Sequence, residues 1–250
     1  MSTLFENAPD FPAATTPQAR WDKIAWKLNT FYQQGGWFRD QTAAAFQKDH
    51  GYLPNMQGWP ENCFSTALGI FVQGDERIEP GALSLLKENK KDKTLRVTND
   101  GSLPYHVNVL SDAEKYAVFL QDCLQQDGIK KDLLLTEIQD YFPIIGIRYQ
   151  FSEKCSDYHY AFPVVKDQKD NGLPSFVISN RTQFNGILKD YQDEAAFMRT
   201  HHLGDQCHDA DVYFAPRQLL GKHVIVEKPT YNGMCKSPAG KPRRMRLNQD

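Results

Sequence analysis

Helices first and strands later is the order this chain spells, and it predicts an α+β domain with segregated layers. Apolar residues recur at helical spacing through the first half. After about residue 143 the period becomes alternating, in short runs rich in β-branched and aromatic residues. The expected arrangement is a helical N-terminal part with a central buried helix, packed against a C-terminal antiparallel sheet.

The elements follow in order. Residues 1–17, rich in Pro, Ala, Ser and Thr without periodicity, read as a flexible leader ending at "TTP". Trp21, Ile24, Ala25, Leu28 and Phe31 or Tyr32 then form a helical stripe that "QQGGW" stops, and a second helix is expected over Thr42–Lys48. Phe64, Ala67, Leu68, Phe71 and Val72 share one face of a third helix, the central one, closed by "QGD". Ser111 and Glu114 stand at capping-box spacing ahead of Tyr116, Ala117, Leu120, Cys123 and Leu124, which makes Cys123 ordinary core. The strands are expected in "IIGIRYQF", "YHYAFPVV", "SFVISN", "DVYFAP" and "KHVIVEK", with a further helix between Ile187 and His201. The division is thus one domain over 18–232, helical to 142 and sheet from 143, followed by a basic flexible tail over 233–250.

Length and composition agree with one globular unit. The chain has 250 residues, 40% apolar and 12% aromatic, and a mean hydropathy of -0.59, enough to build a core with polar outer faces. No apolar stretch is long enough to span a bilayer, and the N-terminal residues have neither a basic region nor an apolar one of signal-peptide type. A cytoplasmic protein, or one exported without a cleavable signal, is expected. The net charge of -2 gives no field to attract nucleic acid. Five cysteines, odd in number and scattered, suggest reducing conditions rather than a disulfide framework.

The most specific stretch is "QGWPENCF", Gln57 to Phe64. A thiol attacks as its thiolate, which the first turn of a helix favours, and Cys63 is expected there, behind Asn62 as N-cap and Pro60. Glu61 opposes this, since a nearby carboxylate favours the protonated thiol. Imidazole titrates in the range a base needs. His159 begins the run "HYAFPVV", and Asn180 closes the next strand, so a hairpin can bring the two together. Gln57 could donate to an oxyanion. His106, with Asn108 or Asp112 nearby, is the substitute base. "HHLGDQCHDAD" gathers His201, His202, Asp205, Cys207, His208, Asp209 and Asp211, all of ligand type, but without a metal-site spacing; a solvated loop explains it as well. Cys155, Cys207 and Cys235 are placed in turns or polar loops.

The order of Gln57, Cys63, His159 and Asn180 resembles the papain-like cysteine peptidase superfamily, including some effector-type members that bacteria deliver into host cells. The resemblance implies Gln57 for the oxyanion hole, Cys63 as nucleophile, His159 as base and Asn180 as its orienting partner. It implies hydrolysis of an amide or isopeptide bond in a protein or peptide substrate, with no cofactor. The pattern departs at Phe64, where the family commonly has Trp, at "WPEN", and at Arg181, where an aromatic residue often shields the His–Asn bond. The superfamily also contains deamidases and transglutaminase-type acyl transferases, and a non-catalytic binding module on the same fold is the competing class.

Overall fold

The computed structural model describes residues 2–11, 16–51, 61–74, 77–98, 113–152, 155–181, 187–198 and 207–227. Within them the chain is a mixed α+β structure. Helix α1 (Pro17–Gln33) starts where Thr16 accepts the Ala19 N–H and Pro17 supplies a preset first turn. Thr42 caps α2 (Ala43–Asp49) in the same way. Helix α3 (Cys63–Leu68) opens with a reciprocal cap: Asn62 Oδ1 accepts the Ser65 N–H, and Ser65 Oγ accepts the Asn62 N–H. Gly69, at φ 65°, ends it.

Two sheets follow. The larger has five antiparallel strands in the order β7-β6-β5-β4-β8, where β4 is Tyr141–Ser152, β5 Cys155–Gln168, β6 Pro174–Arg181, β7 Leu188–Tyr191 and β8 Cys207–Pro216. The smaller has the order β1-β9-β3-β2, formed by Phe71–Gly74 (β1), Lys87–Glu88 (β2), Leu95–Thr98 (β3) and His223–Glu227 (β9). Helix α4 is Ala113–Gln126 and α5 is Glu194–Met198.

The five-stranded sheet divides the core in two, because side chains alternate along each strand. One face carries Phe142, Ile144, Tyr160, Phe162, Val164 and Val177, and packs against Phe64, Ala67 and Leu68 of α3 and the valines of the smaller sheet. The other face carries Ile145, Ile147, Ala161, Phe176, Ile178, Val212 and Phe214, and packs against Trp21, Ile24, Leu28 and Phe31 of α1 and Phe197 of α5.

Five expectations need correction. The apolar run after Cys63 is not one helix to Val72: Gly69 breaks it, and Phe71 and Val72 open β1. The first half is not purely helical, since β1, β2 and β3 lie within it; β1 and β3 pair with the C-terminal β9, and β2 pairs with β3. That sheet is mixed, with β9 parallel to both β1 and β3. The helix expected between Ile187 and His201 is present but short, as α5, and the strand β7 takes up the first part of that span. Part of the leader is docked: the Leu4 N–H bonds the Leu133 carbonyl at 2.7 Å, Leu4 is buried, and the Phe5 ring lies 5.5 Å from Trp26. The basic tail lies outside the described residues.

Candidate functional site

Cys63 is in no disulfide among the described residues and is partly exposed, at the first position of α3. Asn62 is itself anchored, its Nδ2 donating to the Ile78 carbonyl at 2.8 Å, so the start of the helix is tied to the segment ahead of β2. Glu61 turns inward. Its Oε2 meets Arg181 Nη2 at 2.9 Å, with both side chains buried, and accepts from Gln47 Nε2. Arg181 also donates from Nε to Thr66 Oγ1 at 3.2 Å and from Nη2 to Gln47 Oε1 at 3.3 Å. This network binds α2, α3 and the end of β6 together beside the sulfur.

The network changes the electrostatic reading of Cys63. Glu61, which alone would oppose a thiolate, is neutralised by Arg181. Burial pulls the Arg181 guanidinium below its ordinary value, while Glu61 and, more weakly, Cys63 hold it up. The cation is therefore within electrostatic reach of the sulfur, and it favours the ionised form.

His159 and Asn180 lie on the neighbouring strands β5 and β6, as the hairpin expectation requires, but no hydrogen bond joins them. Asn180 pairs across the β5–β6 ladder with Ala161, two residues from His159 and on the same sheet face. That face is the wrong one for Cys63. His159 lies opposite Ile147 on β4, and both His159 and Asn180 share the side of Ala161, Ile145 and Ile178 that faces α1 and α5. Their immediate neighbours Tyr160, Ser179 and Arg181 point to the side of α2 and α3 instead: the tilted rings of Tyr160 and Phe64 lie 5.0 Å apart, and Ser179 Oγ accepts the Ala43 N–H of α2. The expected contact of His159 with Cys63 is thus not formed, because the pleat of β5 turns the imidazole through to the back of the sheet. Both residues are fully buried. Among the described residues neither Oδ1 nor Nδ2 of Asn180 has a hydrogen-bond partner.

Gln57 and His106 lie outside the described residues, as do Cys235 and the stretch from His201 to Gln206. Cys123 and Cys207 are core, and Cys155 opens β5 rather than lying in the turn expected of it. Burial pushes both Cys123 and Cys207 up to about 11, and Cys207 belongs to the start of β8, not to the polar loop expected of it. Of the ligand-type cluster, Asp211 is spent on lysines: Lys27 at 2.6 Å and Lys23 at 3.1 Å. Despite its burial, they hold its carboxyl below the usual range. Arg181, Gln47 and Thr66 are the site residues that sequence reasoning passed over; the only signal was a charged residue closing an otherwise apolar strand.

Comparisons with protein-family models, with curated protein sequences and with solved structures find no match to this chain.

Proposed function

We propose that the chain is a thiol-dependent hydrolase of an amide or isopeptide bond in a protein substrate, built on a papain-like plan with Cys63 as nucleophile. The observation that supports this reading is the partly exposed Cys63 opening a capped helix, with the Arg181 cation in reach and the Glu61 charge already neutralised. In the proposed reaction the thiolate adds to the carbonyl carbon, and the C–N bond breaks as the amine takes a proton. Water then cleaves the thioester and frees the acid. Gln57 stays the proposed oxyanion donor. His159 and Asn180 keep no direct part, and the proposed base is His106, on the sequence argument given above. With an amine in place of water the same thioester would give transamidation.

A non-catalytic binding module is the second reading, and the placement of His159 and Asn180 behind the sheet favours it. Two measurements separate the readings. The hydrolase should show one thiol, Cys63, that iodoacetamide modifies fast near neutral pH, and its turnover of an amide or isopeptide probe should vanish in Cys63→Ala and His106→Ala while persisting in His159→Asn. Slow labelling of Cys63, no faster than Cys123, sinks the hydrolase and leaves the module.

A further inference from the structure

On the α3 side of the five-stranded sheet, a pocket of about 50 Å³ lies between α4 and the strands, with Leu120 and Gln121 on its helical side and Gly146 of β4 on its sheet side. A Cβ on residue 146 would stand 2.7 Å from the Tyr213 ring and 3.2 Å from that of Tyr160. Glycine thus lets the rings from β8 and β5 converge over β4. Tyr160 is buried, and its ring lies 5.0 Å from that of Phe64, the residue after Cys63. The pocket and the helix that carries the thiol therefore share a wall, which Tyr158 extends, its ring 5.2 Å from that of Tyr160.

The rest of the lining is charged. The strand register sets Arg148 between Tyr158 and Asp209, and Lys131 Nζ stands 5.7 Å from the Tyr213 ring centre. Lys131 is also 3.8 Å from Asp211, but Lys27 at 2.6 Å and Lys23 at 3.1 Å hold that carboxylate more closely, and Lys23 reaches Asp209 at 3.7 Å. Among the described residues this corner sets Lys23, Lys27, Lys131 and Arg148 against Asp209 and Asp211, so positive charge is in excess. Burial, and then Asp211 and Asp209, push the Tyr213 phenol well above its usual range, which leaves its hydroxyl a donor. The volume has room for a few non-hydrogen atoms. A carboxylate is that small, supplies the missing negative charge and takes only donors. We propose that this pocket binds the carboxylate of a peptide, with Lys131, Arg148 and the Tyr213 hydroxyl as its donors. On the hydrolase reading above, on which this consequence rests, the pocket selects acidic substrates.

The test is an NMR titration of the full chain, labelled with nitrogen-15, by N-acetylglutamate methylamide, by its glutamine and lysine counterparts, and by N-acetylglycine, whose carboxylate is a chain end. The glutamate probe or N-acetylglycine should shift the Gly146 amide and the Gln121 side-chain amide saturably, the tighter of the two naming side chain or chain end as the source. The glutamine probe should bind at least tenfold more weakly. Lys131→Gln, in which Asp211 keeps Lys27 and Lys23, should weaken the carboxylate about tenfold. No saturable shift at these two residues, binding of the glutamine or lysine probe as tight as that of the carboxylates, or an unchanged affinity in Lys131→Gln overturns the proposal. The titration reads binding without turnover, so its failure is distinct from failure of the hydrolase.

Discussion

Asn180 and Arg181 are consecutive residues of β6, both buried, and they face opposite worlds. Arg181 looks toward α3 and is bonded to Glu61, Gln47 and Thr66. Asn180 looks toward α1 and α5, into a layer of aromatic and aliphatic side chains, and its amide is unmatched among the described residues. On the α3 face of the sheet these polar groups pair with one another beside the start of the helix that carries Cys63. The α1 face holds the histidine and asparagine that the sequence order assigns to that same thiol. One strand can thus carry the right residues in the right order and still deliver them to different sides.

Six substitutions and one titration probe the two faces and the elements around them. The largest expected effect is on chemistry: Cys63→Ala should abolish turnover of an amide or isopeptide probe with an unchanged unfolding midpoint, while His159→Asn should retain it. Next is the ion pair. Arg181→Ala leaves the Glu61 carboxylate buried and alone, so urea unfolding should report a loss of about 3–5 kcal/mol. Alkylation of Cys63 should slow in the same variant wherever it remains folded. On the other face Asn180→Val should be neutral or gain about 1 kcal/mol, because it removes a buried amide without breaking a bond. A loss comparable to that of Arg181→Ala would erase the distinction between the faces.

The titration concerns Asp127, at the end of α4. Burial raises its carboxyl to about 7, although it accepts from the Gly81 N–H at 2.6 Å and the Ser84 N–H at 3.0 Å. A folded-state value above the unfolded one means that the native state holds the extra proton between them. Its contribution to stability is therefore full below about pH 4 and is lost as the pH rises through about 7. Asp127→Asn should flatten the corresponding decline in a plot of unfolding free energy against pH. The smallest effect is at the helix start, where Asn62→Ala removes the cap and should cost about 1 kcal/mol.

Much of the fold was legible. Alternation located β4, β5, β6 and β8, the first two helices began close to where their apolar stripes did, and Asn62 is the N-cap expected of it. The smaller sheet was not legible, because β1 is four residues long and its partner β9 lies about 150 residues away, beyond any local pattern. Of the candidate site, the helix start at Cys63 and the adjacency of His159 and Asn180 could be read from spacing. The face could not. A strand has period two, so a displacement by one residue moves every side chain to the other side, and the sequence "YHYAF" is apolar on both. Arg39, whose Nη1 donates to the Thr66 and Ala67 carbonyls of α3, escaped notice because those carbonyls come 27 and 28 residues later.

Site-resolved alkylation of the folded chain by iodoacetamide, in the wild type and in His159→Asn, tests the separation of thiol and imidazole most directly. The expected result is rapid labelling of Cys63 ahead of Cys123 and Cys207, at the same rate and with the same pH profile in both proteins. A tenfold or greater slowing of Cys63 in the folded His159→Asn chain would contradict it, since an imidazole behind the sheet cannot activate that sulfur.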